Sequence, residues 1–93
     1  MEQRQALLVI NPVAGTRSKQ GLEEVVSRRL EEVGVSVKTV RTSGSGDAAE
    51  FAGSAASDGY EMVISAGGDG TVNEIAGALS HTDTALGILP LGS

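Results

Sequence analysis

The 93-residue chain contains no cysteine and no tryptophan, and only one phenylalanine and one tyrosine. Without cysteine, a disulfide scaffold and a Cys-ligated zinc or iron–sulfur centre are excluded, and the composition suits a reducing cytoplasm. With aromatics at 2%, the core has to be assembled from Val, Ile, Leu and Ala. Basic charge is scarce as well. Seven Lys+Arg against 12 Asp+Glu give a formal net charge of −5, and no Lys/Arg cluster makes a basic patch. Such a chain has no electrostatic footing for binding nucleic acid. Long apolar runs are missing too: the longest, Ala6–Ile10, has five residues, against the roughly 20 that a membrane-spanning helix needs. Met1-Glu2-Gln3-Arg4 lacks the apolar stretch of a secretory leader, so a soluble, unexported, cytoplasmic protein is expected.

What is present is globular: 40% hydrophobic and 20% charged residues, a balance that excludes wholesale disorder. A chain this long makes one small domain or part of a larger one, and hides roughly 60–65% of its unfolded surface on folding. Its pattern alternates between two kinds of segment. Ala6–Ile10 is a short apolar run that reads as a strand buried on both faces. A helical pattern follows from about Lys19 to Val33, with Leu22, Val25, Val26, Leu30 and Val33 on one face and Gly34 placed to cap its end. Val35 to Thr42 is a second strand, and Thr42-Ser43-Gly44-Ser45-Gly46 a flexible loop. Asp47 reads as the N-cap of a second helix with Glu50 as its capping-box partner; Ala48, Phe51, Ala52 and Ala55 make the apolar stripe, and Asp58-Gly59 ends it. Met62–Ala66 is a third buried strand. A helix from about Thr71 to Leu79 should turn Val72, Ile75, Ala76 and Leu79 inward, and Ala85–Leu89 is the fourth strand.

The order βαβαβαβ predicts an α/β fold: a three-layer αβα, Rossmann-like parallel sheet with right-handed crossovers. Ligands of such sheets bind beyond the carboxyl ends of the strands, where the strand order reverses. The fourth strand is followed only by Pro90-Leu91-Gly92-Ser93, with no helix to cover it. The expectation is the N-terminal piece of a longer protein.

The segment richest in chemistry is Ser65-Ala-Gly-Gly-Asp-Gly-Thr-Val-Asn-Glu74. A glycine-rich turn from a buried strand into a helix exposes backbone N–H groups and the positive end of the helix dipole, both suited to a phosphate. Glycines let the backbone approach a ligand closely. Asp69, a bare carboxylate beside phosphates, makes sense if a divalent cation bridges them, as Mg²⁺ does with one or two carboxylates and retained waters. A plainer explanation stands beside this one. Thr71 and Glu74 have capping-box spacing, the glycines can be steric, and Asp69 can complement the dipole. Two familiar phosphate motifs are absent. No Lys follows a glycine pair as G-x-x-x-x-G-K-[ST] requires, and Gly68-Asp69-Gly70 has Asn73 where G-x-G-x-x-G wants its third glycine.

Other residues read blandly. His81 lies in the polar Ser80–Thr84 connection and is a surface residue, since a lone His is poor evidence for a metal. Arg28 and Arg29, with Glu23, Glu24, Glu31 and Glu32, form a solvated helix face. Asn11 could simply start a turn before Pro12, and Thr42 alone would be an ordinary strand-end residue.

Taken together, Asn11-Pro12-Val13-Ala14-Gly15 after strand one, Gly67-Gly68-Asp69-Gly70-Thr71-Val72-Asn73-Glu74 after strand three and Gly87-Ile88-Leu89-Pro90-Leu91-Gly92-Ser93 at strand four resemble the diacylglycerol kinase catalytic domain family. The family includes bacterial lipid kinases and sphingosine and ceramide kinases. The resemblance spans almost the whole chain. GGDGT alone is shared with NAD kinases, but its continuation Val-Asn-Glu and the upstream Asn-Pro-x-x-Gly are specific. The resemblance implies an ATP-dependent kinase that phosphorylates a lipid hydroxyl, with Mg²⁺ as cofactor. It implies nucleotide contacts at Asn11, Pro12, Val13, Ala14, Gly15, Thr42, Gly67, Gly68, Asp69, Gly70, Thr71, Val72, Asn73 and Ser93, and places Asp69 in the Mg²⁺ network. Ser93 departs from the usual Thr but keeps the hydroxyl. A β-rich second domain, carrying the general base and much of the lipid site, lies outside residues 1–93, so this piece alone is expected to be inactive and to hold no catalytic base. The implied partner is a lipid at a membrane surface, which makes peripheral attachment an expectation and leaves a homodimer of the full-length protein open. Two other readings remain: an NAD kinase, and a non-catalytic or dehydrogenase-type dinucleotide-binding module. Against the last, strand two ends in Arg41-Thr42 where such a module would carry an acid.

Overall fold

The short buried runs and the amphipathic stripes resolve into seven elements in a computed structural model that describes residues 4–11 and 20–89. They are β1 (Arg4–Ile10), α1 (Gln20–Glu31), β2 (Val35–Arg41), α2 (Asp47–Ser57), β3 (Met62–Ala66), α3 (Asp69–Leu79) and β4 (Ala85–Ile88). All strand pairs are parallel, in the order β2-β1-β3-β4. The α/β fold expected from the pattern is the fold observed.

β1 is apolar from Ala6 to Ile10 because its alternate residues there feed two cores. Leu7 and Val9 pack with Val63, with Ala48, Ala52 and Ala55 of α2, and with Ile75 and Leu79 of α3. Ala6, Leu8 and Ile10 pack with Ile64, Ala66 and Val35, and with Val26, Leu22 and Leu30 of α1. The sheet therefore lies between α1 on one side and α2 with α3 on the other. Ala48, Ala52 and Ala55 of α2 are almost wholly buried, and their small size lets that helix sit close to the strands, with Phe51 and Tyr60 packed against the edge of the cluster.

Three residues expected to face inward do not. Val25 is 53% and Val33 62% exposed. The inward stripe of α1 runs Leu22, Val26, Leu30 at four-residue spacing, with Val26 buried and the two leucines partly so, and Val25 lies about 100° round the helix from Val26. Val33 falls beyond the helix end at Glu31, in a turn closed by Val33 N–H to Leu30 C=O and Gly34 N–H to Glu31 C=O. Gly34 takes the left-handed φ of 85° expected of a capping glycine. On α3 the buried stripe is Thr71, Ile75, Leu79, which leaves Ala76 exposed. At the sheet edge, β4 exposes Ile88 at 57%.

Ser65 is the polar exception in the core. It is 0% exposed, and its hydroxyl has no hydrogen-bond partner. Desolvating an unpaired hydroxyl is costly, so Ser65→Ala should raise unfolding stability by about 1 kcal/mol. Urea denaturation measures this, and a loss of stability would show that the hydroxyl has a partner in solution. Below the sheet, at the amino ends of the strands, Arg4 donates from Nε and Nη2 to both carboxylate oxygens of Glu61 (2.8 and 2.6 Å).

Candidate functional site

The sheet order sends β1 outward to β2 on one side and β3 outward to β4 on the other. α1, which follows β1, and α3, which follows β3, pack on opposite faces of the sheet, so a crevice opens above the carboxyl ends of the two strands. Two backbone bonds extend the ladder into this region: Asn11 N–H donates to Ala66 C=O (3.3 Å), and Thr42 N–H to Ile10 C=O (2.9 Å). They place Asn11, Thr42 and the Gly67 turn, far apart in sequence, side by side.

A cleft of ≈480 Å³ occupies the crevice. Asn11 and Thr42 line it from the strand ends, Ser43, Gly44 and Ser45 from the β2–α2 loop, Ala48 from α2, and Gly70, Thr71 and Glu74 from α3. Apart from Ala48 and the two glycines, each of these residues brings a hydroxyl, amide or carboxylate. A second concavity of ≈290 Å³, among Glu23, Glu24, Ser27, Arg28 and Glu31 on the outer side of α1, presents only the charges of a solvated helix.

The glycine turn separates the steric reading from the ligand reading residue by residue. A Cβ on Gly67 would lie 2.8 Å from Thr71 Oγ1, 2.9 Å from Thr71 Cβ and 3.1 Å from Asn11 Cβ. Packing alone requires that glycine. A Cβ on Gly68 or Gly70 would meet nothing within 4 Å, so no neighbour explains those two. Gly68 is the N-cap of α3, with extended backbone and no side-chain cap bond. The first-turn N–H groups of α3 thus lack a side-chain cap at the dipole's positive end.

The capping boxes expected at both helices are absent. α3 starts at Asp69 rather than Thr71. The Thr71 hydroxyl, 93% buried with its residue, accepts from Asn11 Nδ2 (3.4 Å), and Glu74 Oε2 accepts from Gly46 N–H (3.3 Å). Both side chains serve cross-links between elements, not their own helix end. At α2 the N-cap is Gly46, with φ 90°, and Asp47 is the first helical residue. Asp47 reaches back instead: its Oδ2 accepts Ser43 N–H (2.7 Å) and Ser43 Oγ–H (2.8 Å).

Those two bonds, the backbone one foremost, hold the Asp47 carboxyl below its ordinary value of 3.8. A lowered pKa means that the ionised group supports the loop above the ordinary carboxylate range, and that the support is lost as pH falls through the lowered value. The Ser43 amide resonance should therefore titrate below the midpoint of an unperturbed aspartate. A midpoint at or above 3.8 would contradict the bonds.

Of the residues singled out in the sequence, Asn11, Thr42, Gly70 and Thr71 line the cleft, and Gly67, Gly68 and Asp69 form the turn that leads into it. Asp69 is exposed in the first turn of α3. Val72 is half-buried and Asn73 exposed, and neither lines the cleft. Pro12, Val13, Ala14, Gly15 and Ser93 lie outside the described residues. Ser43, Gly44, Ser45 and Ala48 are cleft residues that the motifs did not flag, and Glu74, which ends the glycine-turn motif, lines the cleft although no contact was assigned to it. The only sequence signal for the loop was its position after a strand. Among the described residues no group of three or more His, Cys, Asp or Glu could hold a metal ion. Asp69 stands as a single carboxylate.

Residues 5–93 match the family described as the diacylglycerol kinase catalytic domain. The chain belongs to that family. Among its diacylglycerol kinase relatives is the protein named "Diacylglycerol kinase" in Bacillus subtilis (strain 168), 34% identical over 93 residues, 97% of this chain and 30% of the relative. An Enterobacter (strain 638) protein named "Probable lipid kinase YegS-like" is 40% identical over 93 residues, 96% of this chain and 30% of its own. The crystal structure of a diacylglycerol kinase from Bacillus anthracis (Sterne) superposes with a TM-score of 0.76 at 28% identity, covering 95% of this chain and 32% of that one. The resemblance drawn from the motifs is borne out, and so is the fold it implied. The chain spans about a third of the length of the relatives it matches. No described helix is long and apolar enough to cross a membrane.

Proposed function

We propose that residues 1–93 form the nucleotide-binding part of a lipid kinase that transfers the γ-phosphate of ATP to a lipid hydroxyl. The observation that carries this reading is the uncapped start of α3, where Gly68 and Gly70 leave open space beside a polar cleft. The donors there suit phosphate oxygens. Amides at a helix N-terminus cost no reorganisation when an anion arrives, and the dipole favours negative charge. Asn11, Thr42 and Thr71 offer amide and hydroxyl groups for the remainder of the nucleotide. Asp69 would be the residue that holds a Mg²⁺ beside the phosphates, since Mg²⁺ can bind through a single carboxylate together with phosphate groups and needs no acidic cluster. Bound there, the cation would neutralise phosphate charge. Pro12, Val13, Ala14, Gly15, Val72, Asn73 and Ser93 belong to the same proposal through the family motifs. β2 ends in Arg41, ion-paired with Glu23, where a dinucleotide-binding dehydrogenase would present an acid to the ribose.

Phosphoryl transfer needs a positioned nucleophile as well as a held donor. The described residues supply the second only. The general base, further metal ligands and lipid site are assigned to a β-rich domain, and membrane contact to the whole protein. Mixing the 93-residue chain with γ-labelled ATP, Mg²⁺ and vesicles containing diacylglycerol should give saturable ATP binding and no labelled lipid. Failure to bind ATP would refute the nucleotide site. Labelled lipid would refute the placement of the base.

A further inference from the structure

The β2–α2 loop forms one wall of the cleft, yet Ser43, Gly44, Ser45 and Gly46 are all exposed and bury no apolar side chain. Fixing each backbone residue costs roughly 1–2 kcal/mol of conformational entropy, so polar bonds have to hold this wall in place. Asp47 ties Ser43 to the start of α2, which closes the loop on itself without fixing it across the cleft. Glu74 reaches it from the opposite wall. Gly70, Thr71 and Glu74 fall on one face of α3 at three- and four-residue spacing, and all three line the cleft. From that face Glu74 Oε2 accepts the Gly46 N–H. Gly46 is held at its other end as well, its C=O accepting Glu50 N–H (3.1 Å). Its φ of 90° is a conformation that glycine adopts without strain.

We propose that Glu74 is a positioning residue, whose bond to Gly46 N–H latches the β2–α2 loop to α3 and sets the width of the cleft before ligand arrives. A carboxylate acceptor makes the bond charge-assisted, stronger than a neutral one. The charge carries a disadvantage beside phosphates, and the latch explains why a carboxylate stands in this wall. The effect on affinity rests on the nucleotide reading above, whereas the bond itself belongs to the ligand-free protein. The two can therefore fail separately.

The test compares the 93-residue chain with Glu74→Gln and Glu74→Ala by amide hydrogen exchange without ligand and by titration with Mg²⁺-ATP. Exchange at Gly46 should be slowed in the native chain and about tenfold faster in Glu74→Ala, with α3 amides and the melting temperature unchanged. The ATP dissociation constant should rise about three- to tenfold in Glu74→Ala. Glu74→Gln, which keeps an acceptor oxygen but loses the charge, should fall between native and Glu74→Ala in both Gly46 exchange and ATP dissociation constant. A Gly46 amide that exchanges at the unprotected rate in the native chain overturns the latch, and does so even if Glu74→Ala fails to fold. Protection lost in Glu74→Ala with ATP affinity unchanged overturns its role in the cleft. If no variant binds ATP, the nucleotide reading fails, and Gly46 exchange still decides whether the latch exists.

Discussion

Gly70→Ala should make the chain more stable and bind ATP less well. Gly70 is the second residue of α3 and nothing lies within 4 Å of the position its Cβ would take. Alanine in a helix is favoured over glycine by roughly 0.5–1 kcal/mol, so the melting temperature should rise. The same methyl projects into open space at the cleft, where a phosphate approaching the backbone would meet it, and affinity for Mg²⁺-ATP should fall at least about tenfold. Gly67→Ala behaves differently. Its Cβ would meet Thr71 and Asn11 at 2.8 to 3.1 Å, and buried Thr71 has little room to give. Overpacking of this kind costs about 1–3 kcal/mol, so stability and affinity fall together. Calorimetry on both variants, with ATP titrations, separates a turn shaped by packing from a turn shaped for a ligand. Gly70→Ala with unchanged ATP affinity would leave only packing as the explanation.

Asp69→Asn should reverse sign with the metal. The exposed carboxylate at the start of α3 repels phosphates when no cation is present, so the variant should bind metal-free ATP better than the native chain does. With Mg²⁺ the order inverts, because the native carboxylate gains a shared cation and the amide does not. In the full-length protein, lipid phosphorylation should drop by about 10²–10³-fold, the scale of losing one electrostatic element of a transition state. The fold should survive, since a first-turn acid contributes at most about 1 kcal/mol through the helix dipole. Isothermal titration with and without Mg²⁺ measures the inversion. Equal affinities in both conditions would remove Asp69 from any metal role.

The fold was legible because its strands are unambiguous. Ala6–Ile10 and Met62–Ala66 are apolar at every position but Ser65, which suits only a strand covered on both faces. The turn at Gly67–Gly70 was legible for a related reason, since three glycines between a buried strand and a helix have few uses. Helix starts were harder. Asp47 and Thr71 carry the side chains of N-caps, but Gly46 and Gly68 take those positions, because the acceptors are engaged with Ser43 and Asn11. Those partners are fixed by tertiary placement, which spacing along the chain does not encode. The role of Glu74 was hidden for the same reason: its partner, Gly46, is 28 residues away. Val25 and Val33 misled because valine looks inward in any pattern count, whereas α1 buries only a narrow stripe that passes Val25 by, and the helix ends at Glu31, before Val33.

The central claim, that a nucleotide's phosphates sit on the amides at the start of α3, is tested most directly by a ¹H–¹⁵N correlation spectrum of the chain titrated with Mg²⁺-ATP. The expected shifts are concentrated at Asn11, Thr42 to Ser45 and Gly67 to Thr71, with the α1 surface around Glu24 and Arg28 silent. A saturating titration that leaves the Gly67–Thr71 amides unmoved, or moves only residues of α1, would contradict it.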